Sequence, residues 1–241
     1  GVMLGINPSL QFIHLTHEIE AHNVLQAVHV FDFSYSFFPK GTIHIIVVDP
    51  GVGSKRKSLL IKSEKYCFVA PDNGVLSAVF QKEKGLEIYQ LDPEKFVSGK
   101  ISFTFHGRDV FAPAAALFSL NQDPAMLAHR VESCEKIDLP LPRKIDTDSF
   151  SGEVIYIDRF GNLITNFSEQ FMSKNVHRRP VKIKIGSCLI SGLKSHYSEA
   201  NPREVSALLN SWNNLEIFLP SANAANFLKA QEGDLVEIET G

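Results

Sequence analysis

Cysteine is scarce, positive charge is not in excess, and no apolar run is long. The three cysteines among 241 residues, Cys67, Cys134 and Cys188, lie far apart and form no CxxC pair. That excludes a disulfide framework and a cysteine-based zinc knuckle, and the thiols read as reduced, which makes the cytoplasm the expected compartment. The formal net charge of −3 gives no basic field for gathering phosphate backbones, so nucleic acid is not an expected partner. No stretch approaches the roughly 20 apolar residues that cross a bilayer, so no membrane partner is expected either. The chain as it opens carries no basic segment followed by an apolar one, the pattern of a secretory leader. Internal repeats and low-complexity tracts are also absent.

What is present is an ordinary globular composition, 44% hydrophobic and 21% charged, enough for one large domain or two modest ones. Strand-like and helix-like segments alternate in the first half. Phe12–Leu15 reads as a short strand. Val24, Ala27, Val28, Val30 and Phe31 recur at helical spacing after Asn23, a good N-cap. Thr42–Val48 is a β-branched run without polar alternation, which predicts a strand buried on both faces. Ser58–Lys62 and Tyr66–Val69 predict further strands, and Val75–Phe80 and Val110–Leu120 predict helices. This pattern predicts an α/β N-terminal domain over residues 1–145 with a central mixed or parallel sheet.

The character changes near Ser149. Glu153–Ile157, Leu163–Asn166, Val181–Ile185, Leu189–Ile190 and Leu215–Leu219 are short strand-like runs separated by turn residues. A helix over Ala222–Leu228 and a strand over Asp234–Glu239 follow. A smaller β-rich, barrel-like domain over 149–241 is the expectation. Two prolines and several charges between Leu139 and Asp148 mark the join.

Four clusters carry candidate chemistry. Asp49-Pro50-Gly51-Val52-Gly53, with Arg56 beyond it, follows the apolar strand, where ligands of open α/β sheets bind; it is equally a tight turn capping that strand. In Pro71-Asp72-Asn73-Gly74, Asn73 or Asp72 reads first as a helix cap. In Thr104-Phe105-His106-Gly107-Arg108-Asp109, a histidine at a helix start sits beside Arg and Asp, which tune its proton affinity. Asp158-Arg159-Phe160-Gly161-Asn162 is a hairpin turn signal first. It also offers an aromatic stacking face, an amide suited to an adenine edge and a carboxylate for an ammonium group.

Together these clusters, with Phe111-Ala-Pro-Ala-Ala-Ala and Asp158-Arg-Phe-Gly-Asn-Leu, closely resemble the signature of the S-adenosylmethionine hydroxide adenosyltransferase family. Its enzymes hydrolyse S-adenosyl-L-methionine and are relatives of the bacterial fluorinase and chlorinase. Ile6-Asn-Pro, Thr16-His-Glu-Ile, Phe38-Pro-Lys-Gly-Thr and Leu215-Glu-Ile add to the likeness, which runs in order along essentially the whole chain. The resemblance implies an α/β domain followed by a β-rich one, assembled as a homotrimer with each ligand site shared between neighbouring subunits. It implies hydrolysis to adenosine and L-methionine by water or hydroxide attack at ribose C5′, with Asp49, Arg56 and His106 as catalytic residues.

In that scheme Arg56 stabilises developing hydroxide charge while Asp49 and His106 hold its orientation. The sulfonium leaves as a neutral thioether, so no cofactor and no metal is expected. For the substrate, Asp158 matches the partner of the methionine ammonium, Asn162 the reader of the adenine edge, and Phe160 packs nearby. Ser211 matches a contact to the methionine moiety, Leu219 and Ser221 a backbone segment beside adenine, and His22 the position of a ribose cover. Asn73 belongs to the quoted Pro-Asp-Asn-Gly motif and joins the candidate substrate-binding residues.

The halogenating relatives carry Tyr at the position of Asp49 and Tyr-Ser at His106-Gly107. Asp49 adds negative charge where an anion would sit, which disfavours halogenation. A non-catalytic S-adenosylmethionine or adenosine binding protein is the rival of another class. A metal-dependent phosphoesterase built from the His and Asp residues is a third. The opening departs most from the pattern: Gly1–Ile6 is apolar and uncapped, as though the chain begins inside an element. Members of the family begin with a strand and a Thr-Asp-Phe-Gly-like turn that this sequence lacks. Loss of a central strand would cost more than the ~5–15 kcal/mol that stabilises a domain, so roughly 20 preceding residues are expected in the native protein.

Overall fold

The structure, a computed structural model, describes residues 1–176 and 180–241. Two compact units divide the chain, Gly1–Leu139 and Pro140–Gly241.

The first unit is built on five strands: β1 (Ile43–Ile45), β2 (Ser58–Lys62), β3 (Cys67–Pro71), β4 (Glu87–Leu91) and β5 (Ala128–Arg130). Their order is β1-β3-β2-β4-β5, with β1 parallel to β3 and the other neighbours antiparallel, so the sheet is mixed. Successive side chains of a strand point to opposite faces. Leu59 and Ile61 therefore enter one apolar cluster with Phe31, Phe68 and Val79, while Leu60 enters another with Val69, Phe111 and Ala114. Helices α1 (Val2–Ile6), α2 (Val24–Asp32), α3 (Ser77–Lys82) and α4 (Ala112–Phe118) accompany the sheet.

Local chemistry explains two of these helices. Asn23 caps α2 as expected, its side-chain oxygen accepting from the Gln26 amide at 2.9 Å. Before α4 stands a wide π turn, Gly107–Phe111. Pro113 has no N–H to return to the preceding turn, and the wider turn absorbs that gap. Ala114, Ala115 and Ala116 are wholly buried, because only small side chains let α4 lie this close to its neighbours.

Two expectations need correction, and two strands were not expected. Phe12–Leu15 is not a strand: it has no regular structure, and Ile13 is 74% exposed. Apolar residues alone make no strand without a partner to pair with. Thr42–Val48 is fully buried on one face only; β1 is the sheet's edge, His44 and Ile46 are buried on one side, Ile43 and Ile45 are half-buried against the other cluster, and Val47 is 51% exposed. Strands β4 and β5 had no sequence signal, being short and half-polar.

Among its described residues the second unit has eight strands: β6 (Arg143–Lys144), β7 (Ser149–Ile157), β8 (Leu163–Ser168), β9 (Val181–Ile185), β10 (Cys188–Ser191), β11 (Ser206–Leu209), β12 (Asn214–Phe218) and β13 (Leu235–Thr240). The order is β10-β9-β13-β7-β8-β12-β11, with β6 on β7. A bridge between Lys194 and Leu208 draws the two ends together into a nearly closed barrel. Strand β9 shows the alternation behind this: Val181, Ile183 and Ile185 are buried, Lys182 and Lys184 exposed. Helices α5 (Glu169–Asn175) and α6 (Ala224–Leu228) complete the unit. No helix among the described residues is long and apolar enough to cross a membrane.

Candidate active site

The chain running on from β1 keeps pairing at Ile46, whose N–H donates to Val69 O at 3.0 Å. It then turns through Asp49–Gly53 and re-enters the sheet at Ser58. Gly53 has φ +77, and a Cβ there would lie 2.3 Å from the Phe103 carbonyl oxygen. This close approach, open only to glycine, seats the Ser102–Phe105 loop on the Asp49 turn. Asp109 fastens the same loop by accepting from the Ser102 N–H at 2.8 Å. His106 follows directly, at the start of the π turn.

The result is a bonded cluster. Arg56 Nε donates to Asp49 Oδ1 at 2.8 Å, and its Nη2 donates to Asp49 Oδ2. The same Nη2 lies 2.8 Å from His106 Nδ1. Nη1 donates to Ser58 Oγ at 2.9 Å and to the Lys57 carbonyl at 3.2 Å. The guanidinium carbon sits 5.4 Å from the centre of the Phe111 ring. The side chains of Arg56 and Asp49 are only 8% and 6% exposed, so the charges rely on each other rather than on water. Burial, and then the Arg56 charge, hold the His106 proton affinity below that of an ordinary imidazole, against the opposing pull of Asp49 and Asp109.

Asn73 is tied to the backbone beside this cluster. Its Nδ2 donates to the Val48 carbonyl at 2.9 Å and its Oδ1 accepts from the Val75 amide at 3.2 Å. It thereby fixes the backbone just before Asp49. His22 lies outside the bonded cluster, at φ +70 in the exposed turn before α2.

In the second unit a groove of about 560 Å³ is lined by Asp158, Phe160, Asn162, Tyr197, Leu219 and Ser221, with Phe218, Pro220 and Ala222. The β7–β8 hairpin supplies the first three. Asp158 Oδ1 accepts from the Phe160 and Asn162 amides, both at 2.9 Å, and Oδ2 accepts from Asn162 Nδ2 at 3.1 Å. The carboxylate thus shapes the turn, and the turn holds Phe160 out, 77% exposed. Ser211 is not in this lining; it occupies the exposed turn between β11 and β12.

Sequence reasoning missed Tyr197 and the role of Glu216. Tyr197 Oη donates to Glu216 Oε1 at 2.8 Å, Asn210 Nδ2 donates to Oε2 at 3.1 Å, and the Tyr197 ring meets Phe218 edge-on at 4.9 Å. Burial raises the Glu216 carboxyl above its usual range. Tyr197 sits in an irregular connection with no motif around it, so no local signal pointed to it. Among the described residues no group of three His, Cys, Asp or Glu side chains converges to hold a metal ion.

A mixed α/β unit with a bonded Asp–Arg–His cluster, followed by a barrel-like unit with an aromatic-edged groove, defines a two-part α/β-plus-β protein. The chain belongs to the SAM hydroxide adenosyltransferase family: residues 1–128 match its N-terminal domain and residues 152–237 its C-terminal domain. It is 33% identical to the (R)-S-adenosyl-L-methionine hydrolase of Methanocaldococcus jannaschii, over 99% of this chain and 86% of that one. Identity to the (R)-S-adenosyl-L-methionine hydrolase of Salinispora tropica is 27%, over 100% of this chain and 91% of the relative. Among solved structures, an uncharacterized conserved protein from Thermotoga maritima superposes with a TM-score of 0.90 at 34% identity, over 98% of this chain and 92% of that one.

Proposed function

We propose that this protein hydrolyses S-adenosyl-L-methionine to adenosine and L-methionine, and that Asp49, Arg56 and His106 carry the reaction. The observation behind the assignment of residues is the bonded cluster itself: a carboxylate, a guanidinium and a neutral imidazole joined through Arg56. The hydrolase names of relatives that cover nearly the whole chain support the substrate.

The chemistry suits such a cluster. Water attacks C5′ of the ribose, the C5′–S bond breaks, and its electron pair leaves with sulfur as a neutral thioether. One proton of the water is released. The leaving group needs no acid, and the reaction needs no electron carrier or Lewis acid. What it needs is a water held in line with the breaking bond. Asp49 and His106 supply that orientation. The groove of the second unit suits the substrate, with Phe160 as a stacking face and Asp158 as a negative charge for the methionine ammonium. A halide in place of water is disfavoured by the Asp49 carboxylate. A homotrimer, which rests on the resemblance, and a cytoplasmic location, which rests on the sparse, unpaired cysteines, are part of the same proposal.

The test is incubation with each sulfonium epimer of S-adenosylmethionine, with chelator and without halide, followed by chromatography. Adenosine and methionine in equal amounts, strongly reduced in His106→Ala and Arg56→Ala, are expected. Substrate that binds but stays intact would sink the catalytic reading and favour a binding protein. Loss of activity with chelator, restored by a divalent ion, would favour the metal-dependent alternative.

A further inference from the structure

Arg56 has five N–H bonds to give, and each has an acceptor inside the protein. Nε donates to Asp49 Oδ1, and Nη2 to Asp49 Oδ2 and His106 Nδ1. Nη1 donates to Ser58 Oγ and the Lys57 carbonyl. No N–H remains for a water, a hydroxide or a substrate carboxylate. The side chain is also buried, with Phe111 against the guanidinium. A guanidinium has no acceptor and keeps all its protons in proteins, so His106 Nδ1 must accept. A neutral ring that accepts at Nδ1 carries its proton at Nε2.

We propose that Arg56 is a closed hub rather than a direct ligand of the nucleophile, and that Ser58 is a further positioning residue that completes it. Together they hold His106 as a neutral imidazole protonated at Nε2, so that His106 donates to the water or ribose oxygen and does not remove a proton. The inference deepens the proposed hydrolysis and rests on that reading for its catalytic meaning. Ser58 acts at one remove. It sits at the first position of β2, buried, where its hydroxyl fixes the rotation of the guanidinium about its own plane. Without that acceptor one Nη1–H is left to find another, and the fork that meets both Asp49 and His106 loosens. Sequence gives no hint of this role, since a serine opening a strand is unremarkable.

Side-chain nitrogen NMR of histidine-labelled full-length protein tests it, with His106→Gln used to assign the His106 signals among the nine histidines. The wild type is expected to show His106 as the neutral Nε2–H form from about pH 6.5 to 8. Ser58→Ala is expected to add a population protonated at Nδ1 and to lower kcat roughly tenfold, with KM within about twofold. Ser58→Thr, which restores the hydroxyl, should recover both signals. An imidazolium or an Nδ1–H ring in the wild type at about pH 7.5 would overturn the proposal. So would a Ser58→Ala variant with wild-type spectrum and kcat. Should that variant fail to fold, the wild-type spectrum still decides. The spectrum does not depend on turnover: an Nε2–H ring in a protein that leaves S-adenosylmethionine intact supports the hub and sinks the hydrolase reading.

Discussion

Arg56 Nη2 and His106 Nδ1 stand 2.8 Å apart, although fifty residues separate them in sequence. The bond joins the turn after β1 to the π turn before α4, and it couples the charge of one side chain to the protonation of the other. Protonating His106 would set two positive groups against each other in a poorly hydrated place, which is one reason its proton affinity is lowered.

That coupling fixes a pH dependence. Its sign follows from the neutral ring being the working form: kcat/KM is lost as pH falls through a His106 pKa that lies below the ordinary 6.5. A pH–rate profile should be flat above about pH 6.5 and decline on the acid side. A limb that instead rises above neutrality would mean that another group, titrating there, limits the reaction.

Arg56→Lys keeps the charge and discards the fork. Lysine offers three donors from one point, so it cannot reach both Asp49 oxygens, Ser58 Oγ and His106 Nδ1 together. The expected loss in kcat is roughly hundredfold or more, comparable to Arg56→Ala. Steady-state kinetics of the pair checks this. Near-normal turnover by Arg56→Lys would show that charge alone suffices.

Gly53 tests how the two loops are held together. Its φ of +77 and the Phe103 oxygen 2.3 Å from any Cβ leave no room for alanine. Gly53→Ala should lower stability by about 1–3 kcal/mol or more and move His106 away from Arg56. Denaturant unfolding reads the first effect and the histidine spectrum the second.

Local and distant signals divided cleanly in this chain. The Asn23 cap, strand β9 and the Asp158–Asn162 turn were legible because each is decided by neighbours a few residues away. Phe12–Leu15 was misread because pairing depends on a partner elsewhere, and no strand among the described residues pairs with it. Asp49, Arg56 and His106 could be named from their motifs, yet their mutual bonds depend on Gly53 meeting Phe103 and on Pro113 widening a helical turn. Ser58 and Tyr197 carried no pattern. Ser58 stands only two residues from Arg56, yet a serine opening a strand does not announce that bond, and Glu216 reaches Tyr197 from nineteen residues away. The groove's hairpin edge was legible in the Asp158–Asn162 motif, Leu219 and Ser221 were named through the resemblance, and Tyr197 was not named at all.

Phe160 offers a clean separation of binding from folding. At 77% exposed it contributes little to the core, whereas Asp158 and Asn162 build the turn beneath it. Phe160→Ala should raise KM roughly tenfold, leave kcat within about threefold and leave Tm almost unchanged, in keeping with about 1–3 kcal/mol for a stacked base. Asp158→Ala should lower Tm as well, because two amides lose their acceptor. An unchanged KM in Phe160→Ala would remove the stacking role.

The last prediction concerns a histidine far from any chemistry. His44 is 7% exposed on the inner face of β1, stacked on Phe68 and ringed by the edges of Phe31, Tyr35, Phe38 and Tyr66. Its Nε2 has no hydrogen-bond partner among the described residues. Burial drops its pKa from 6.5 to about 4. The unfolded chain therefore binds a proton that the folded chain refuses. Stability is intact above about pH 6.5 and falls as pH drops toward about 4, below which both states are protonated and the loss levels off. Between about pH 7.5 and 5 this single group should cost about 2 kcal/mol. His29, also buried with a lowered pKa, adds in the same direction. His44→Phe keeps a ring in the cage and removes the proton, so the urea midpoint of that variant should fall less on acidification than the wild type's. If the two proteins lose the same stability over that range, the acid sensitivity belongs to other groups, and His44 is protonated in the folded state after all.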